Sequence, residues 1–504
     1  MVAGRFGVRR TNVRRESRDA AHHAPSANPA FADSGVELMQ RFLLLPNTTK
    51  QDAGGQVDNA GRFQAQVVMD SEIPRERGRF TILSPKIENG EIEGVRYGVE
   101  DESTKLNLNT LTFLEQQQEG AGKQLLMALP GMTDQIADSI LDYLDEDEEQ
   151  RENGAESDYY TSLDPPYACR NGPFETIDEL LLVSGVTPEL LYGADLNRNG
   201  MIDENEQNNP RISDSGDAPP EADRGWSAFV TLYGVEANLK PDGTARINLN
   251  GDDMQILFDQ VSTALNEKYA TFIVAYRQFG PYTGTSTGAT QTTAQLDFTK
   301  KGNTKINSVL DLIGAKVQMT NSTTSGGNTG GTRGGGTGAA AATGTVLESP
   351  FGADPGSMNG YLLDLLDNVT TNTAPTIPGR ININQASSVI LNGIPGMTPQ
   401  IVESIIGARE FNAALDNPNQ RYETWILMQG IVTLDEMKSL APFICAGGSA
   451  YRAQVIGYFD EEGPATRVEA VVDTSSGQSR VVFWRELSHL GRGYPLGTLG
   501  TAAE

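Results

Sequence analysis

The sequence predicts an α+β fold in which one antiparallel sheet is interrupted by a large helical insertion. Three observations carry that reading. Segments near both ends alternate apolar and polar residues at period two: "RFTILSPK" and "EIEGVRYGVED" near the start, "YRAQVIGYFD", "TRVEAVVDT" and "SRVVFWREL" at the finish. That is the pattern of half-buried strands. The stretch between them reads as helices. It also repeats, because apolar-Asn-apolar-Asn occurs as "LNLN" from Leu106, "INLN" from Ile247 and "ININ" from Ile381, each followed by a helical pattern.

The first and third copies extend the likeness. "LPGMTDQIADSILDYL" answers "IPGMTPQIVESIIGAR", and "FETIDELLLVSGVTPELL" answers "YETWILMQGIVTLDEMKSL". Each reads as helices joined by tight Gly turns, so helix-hairpin-helix repeats are expected in the insertion. The middle copy keeps the Asn-rich start and a helix but lacks the Pro-Gly turn, and reads as a degenerate, purely structural repeat.

These patterns divide the 504-residue chain. Residues 1–30 form a basic start with too few apolar residues to fold, and 31–105 supply the first helix and strands. Residues 106–222 hold the first hairpin unit with an acidic loop and a calcium loop, and 223–320 the degenerate middle repeat. A Gly/Ser/Thr tract over 321–347 reads as flexible linker. The second hairpin unit occupies 348–448, and 449–504 are the closing strands.

Net charge narrows the function. At −27, the chain would repel a partner whose affinity depends on neutralised phosphates. A hairpin turn can present N–H groups to a phosphate, yet the first hairpin carries Asp134, Asp138 and Asp142 at four-residue spacing with "DEDEE" from Asp145 behind them. No nucleic-acid partner is expected, and the hairpins are read as packing units. Only three histidines occur, His22, His23 and His489, and no Gly-rich phosphate loop follows a strand. A zinc cluster, a histidine triad and a nucleotide site therefore have no footing, and no enzyme is expected.

"DLNRNGMIDENE", Asp195 to Glu206, has the spacing of an EF-type calcium loop. Asp195, Asn197 and Asn199 offer side-chain oxygens at its first, third and fifth positions, Gly200 allows the sharp turn, and Met201 gives its carbonyl. Asp203 acts through water and Glu206 closes the shell. A sensor needs paired hands, and this chain offers one loop that no helix follows. The loop reads as a structural staple rather than a switch. A second group, Asp145, Asp147, Glu156 and Asp158, gathers within one loop, either as a second calcium site or as a solvated acidic face. The two cysteines, Cys169 and Cys445, are either unrelated thiols or a disulfide closing a long loop.

The succession "KLNLN", "LPGMTDQIADSILDYLDEDEEQRENGAESDYY", "LDPPYACRNGPFETIDELLLVSGVTPELLYG" resembles protein K of the type II secretion system, the minor pseudopilin GspK, closely from Val95 to Gly193 and more loosely from Arg380 onward. The resemblance implies a pilin-like sheet with a helical insertion that binds calcium near the loop Asp145 to Tyr160. It also implies assembly with other minor pseudopilins and the secretion machinery at a pseudopilus tip, contact with secreted proteins, and a place at the periplasmic face of the inner membrane. Such proteins begin with an apolar anchoring helix. This sequence has no run of about 20 apolar residues. The alternative is a DNA-uptake protein with tandem hairpins, which the net charge and the flanking strands disfavour.

Overall fold

The period-two segments from the two ends of the chain pair into one antiparallel sheet. Its strands run in the order Gln66–Met69, Gly78–Glu88, Ala450–Phe459, Thr466–Asp473, Arg480–Glu486, with Glu91–Arg96 beside the second and Glu100–Asp101 beside the third. Val455 stands opposite both Ile82 and Val468, so the early and late parts of the sequence meet in mid-sheet. This computed structural model describes residues 29–206, 223–284, 290–291, 296–319, 345–410 and 417–500. The basic start and most of the Gly/Ser/Thr tract lie outside the described residues.

One sheet face is covered by the helix Pro29–Leu43. Its buried residues Ala32, Val36, Met39 and Leu43 recur at three- and four-residue spacing and meet Ile82, Val455, Val468, Ala470 and Val472. The approach is close enough to require glycine at one point: a Cβ on Gly35 would lie 2.4 Å from Val455 Cγ1.

The insertion has its own continuous core. In the first unit, helices Ala121–Met127 and Asp134–Leu144 are joined through Gly131 at φ 70°; in the last, Ser388–Gly393 and Pro399–Ala408 are joined through Gly396 at φ 84°. Thr133 and Thr398 cap the second helix of each pair by accepting from the N–H of Ile136 and Ile401. The middle copy holds a pair too. Met254–Ala264 and Glu267–Phe279 pack together across Leu265-Asn266, so two helices persist where the sequence suggested one, without a Pro-Gly turn.

The asparagine motif is one local structure used at all three places. The second residue of each motif accepts from the N–H two residues on: Asn107 from Asn109 at 3.1 Å, Asn248 from Asn250 at 2.9 Å, Asn382 from Asn384 at 3.0 Å. The fourth residue of each motif, also asparagine, then ties down a distant loop. Asn109 clasps the main chain of Phe174, Asn250 that of Ile306, and Asn384 donates to the carbonyls of Gln420 and Ala446. A side-chain amide can satisfy a loop's N–H and C=O at once, which is why the motif needs Asn and not Asp.

Charged residues fill the joint between insertion and sheet. Glu100, Asp101 and Glu102 are all buried. Glu102 accepts from Arg452 at 2.7 and 3.0 Å and from Thr231, while Glu100 pairs with Lys105 at 2.7 Å.

Candidate metal centres

The segment Asp195 to Glu206 lies at this joint. The helix Pro188–Tyr192 ends at Gly193, and the chain then reverses through Arg198 at φ 57° and Gly200 at φ 81°. The second is a left-handed position that glycine adopts without a Cβ penalty. Folding brings the expected ligand residues together. Asp195 accepts from the N–H of Asn199 at 3.1 Å and of Gly200 at 2.8 Å. Glu206 closes the loop by accepting from Leu196, Asn197 and Asp203. Asp203 accepts from the amides of Asn197 at 2.7 Å and Asn199 at 3.0 Å.

The electrostatics of this group are those of crowded acids. Burial, with Glu206 close by, pushes the Asp195 carboxyl up to about 6. The side-chain oxygen of Asn197 is buried and has no hydrogen-bond donor. An all-oxygen set with three carboxylates and an orphaned amide oxygen suits a hard divalent cation.

What the sequence did not disclose is how the loop is held from outside. Arg467, on the sheet, donates to the carbonyls of Asn197 at 2.7 Å and Arg198 at 2.6 Å. Gln454 donates to the Arg198 carbonyl at 2.6 Å, and Tyr494 to that of Asn199 at 2.9 Å. In return Asn199 donates to Gly493 at 2.7 Å. Met201 packs with Leu83, Ile456 and Tyr458 of the sheet.

The acidic loop brings Asp145, Asp147 and Glu156 together, with one oxygen of each within 4.8 Å of the others. Both Glu156 oxygens are buried without a hydrogen-bond partner, as are Asp145 Oδ1 and Asn171 Oδ1. Burial and then the neighbouring Asp142 and Asp145 push the Glu156 carboxyl up to about 7. Arg151 offsets part of the charge, reaching Asp142 at 2.6 Å and Asp145 at 2.5 Å. Gly154 is required beneath them, since a Cβ there would lie 1.9 Å from Asp142 Oδ2. Asn171 enters from the "CRNG" turn, at φ 48°, and donates to the Asp147 carbonyl and to Glu148. The Asn171-Gly172 pair is the local sequence signal for such a turn.

One expected ligand is corrected, and of the two alternatives for the cysteines the structure shows unpaired thiols. Asp158 is exposed in the first turn of the helix Ser157–Thr161 and does not join the group, because the helix turns its side chain to solvent. Cys169 and Cys445 are both free. Cys445 is buried in a two-residue parallel pairing with Ile381–Asn382, where its thiol lies 3.5 Å from the Arg380 carbonyl, while Cys169 packs against the core of the insertion. The acids at Asp134, Asp138 and Asp142 do not all face solvent. Asp134 is exposed, but Asp138 and Asp142 are buried and held by Lys123 at 2.9 Å and Arg151 at 2.6 Å.

Fold and sites together define an antiparallel-sheet protein whose helical insertion carries two convergent oxygen clusters, one within the insertion and one at its joint with the sheet. Residues 104–193 match the family model described as type II secretion system (T2SS), protein K. No curated protein matches the chain. Among solved structures, the GspK-GspI-GspJ complex from the enterotoxigenic Escherichia coli type 2 secretion system aligns at 11% identity, over 91% of this chain and 95% of that one, with a TM-score of 0.37.

Proposed function

We propose that this chain is a minor pseudopilin of the GspK type, a non-enzymatic subunit of the pseudopilus tip whose helical insertion calcium stabilises. The observation that carries the reading is the match of residues 104–193 to protein K, a segment that contains the whole acidic loop. The sheet, split in sequence by its insertion, supports the pilin-like part of the reading. Other minor pseudopilins and the secretion machinery are its partners, at the periplasmic face of the inner membrane. Among the described residues no helix is long and apolar enough to cross a membrane. Partner contact falls on the outer strand Arg480–Glu486, where Val481, Val482 and Trp484 are exposed.

Asp195, Asn197, Asn199, the Met201 carbonyl, Asp203 and Glu206 would hold one calcium ion; Asp145, Asp147 and Glu156 would hold a second. A bound cation supplies positive charge among carboxylates that the fold buries close together. The residues themselves fix the loop to the sheet, through Arg467, Gln454 and Tyr494.

A role in DNA binding is not favoured. The lysine of the first hairpin, Lys123, is engaged by Asp134 and Asp138. Co-purification with the soluble domains of minor pseudopilins encoded beside this chain tests the proposal. A complex that Trp484→Glu disrupts is expected; failure of every such domain to bind at high micromolar concentration would overturn it.

A further inference from the structure

A cavity lies apart from both acidic clusters, between the short helix Asn47–Asp52, the last helical unit and the end of the sheet. Its volume is about 560 Å³, within the range of about 300–1,000 Å³ typical of small-molecule sites. Lys50, Asp101, Asp367, Arg421 and Tyr422 are among the residues that line it.

The lining carries two cations, Lys50 and Arg421, and two acids, Asp101 and Asp367, but only Arg421 and Asp367 form an ion pair. Lys50 is 8% exposed, and its ammonium makes one long contact, 3.5 Å to the Leu43 carbonyl. Among the described residues no carboxylate lies within ion-pair distance of it. The two acids of the cavity are engaged elsewhere. Asp101 accepts from Ser103 N–H at 2.8 Å, Asn382 at 2.9 Å and Gly448 N–H at 2.6 Å. Asp367 accepts from Arg421 and, at 2.6 Å, from the Tyr422 hydroxyl. Arg421 Nε–H is a further buried donor without an acceptor.

A buried ammonium without a counter-charge is costly, and in a chain of net charge −27 it is unexpected. It becomes favourable when an anion enters, because charge-assisted hydrogen bonds in a partly dehydrated cleft are the strong ones. The nearby acids set the valence. With Arg421 paired to Asp367, a doubly charged guest would have Lys50 alone to offset it and would face the charge of Asp101, whereas a single carboxylate matches one ammonium.

We infer that this cavity is a binding site for a single carboxylate group, held by Lys50 and carried either by a small organic acid or by the free carboxy-terminus of a peptide. The proposal does not depend on calcium or on the pseudopilin reading.

Isothermal titration of the full chain with acetate, with a short uncharged-side-chain peptide ending in a free carboxylate, and with the same peptide amidated tests it. Saturable binding of acetate assigns a small acid, and binding of the free peptide alone assigns a chain terminus; both uphold the site. Lys50→Met should weaken either by about tenfold or more, and Lys50→Arg should retain most of it. Absence of saturable binding by both carboxylate probes overturns the proposal, as does equal affinity for the amidated peptide. Equal affinity of a folded Lys50→Met variant does the same. If Lys50→Met does not fold, the comparison of free and amidated peptide on the unmodified chain decides.

Discussion

Arg467 on the sheet donates to the main-chain carbonyl of Asn197 in the insertion, 2.7 Å away, and its guanidinium is fully buried. The strand Thr466–Asp473 thereby grips the loop that is proposed to hold calcium. Truncating the side chain leaves the Asn197 carbonyl without a donor, while Gln454 still serves that of Arg198. Arg467→Met should therefore cost about 1–3 kcal/mol, the cost of one buried group left unsatisfied. Urea unfolding at fixed calcium measures it; an unchanged midpoint would show that the grip is dispensable.

The acidic loop makes a prediction of opposite sign. Glu156 is buried among Asp142, Asp145 and Asp147, and neither of its oxygens accepts a hydrogen bond. In chelator, Glu156→Gln should raise stability by about 1–2 kcal/mol by removing a charge that lacks compensation. In calcium the same variant should bind one ion fewer. A loss of stability in chelator would mean that the acid is satisfied by a contact the geometry does not contain.

Glu102 predicts a pH dependence. Burial works to raise its carboxyl, but Arg452, with Lys105 and Thr231 behind it, holds it below the ordinary value of 4.5. A depressed carboxyl stabilises the fold above its unfolded-state value, and that stabilisation is lost as pH falls through the folded-state value. Glu102→Gln should cost about 3–5 kcal/mol at pH 7, because it leaves Arg452 with only Glu469 at 3.0 Å. Its stability should also change less below pH 4.5 than that of the unmodified chain. Parallel pH profiles for the two proteins would contradict the assignment.

What could be read from the sequence was local. Period two marked the strands, because successive side chains of a strand point to opposite faces of the sheet, and the spacing of Asp195 to Glu206 marked a turn whose carboxylates close on its own backbone amides. The asparagine motif was visible as a repeat, though its partners Phe174 and Ile306 were not. Arg467 and Tyr494 stood outside that reading, since they reach the loop from the far end of the chain. The acids of the first hairpin misled for a related reason. Asp138 and Asp142 fall on the inward face of the helix Asp134–Leu144, and the cations that permit this, Lys123 and Arg151, sit on neighbouring segments. Composition alone cannot place a counter-ion.

Thermal unfolding of the full chain in calcium and in chelator, with Glu206→Gln beside it, tests the central claim most directly. Glu206 closes the loop on three backbone amides, so losing one charge there should cost the loop its cation. A ligand that binds only the folded state raises the midpoint with its concentration. The midpoint should climb with calcium in the unmodified chain and rise clearly less in the variant. Superimposable curves for the unmodified chain in calcium and in chelator would contradict it.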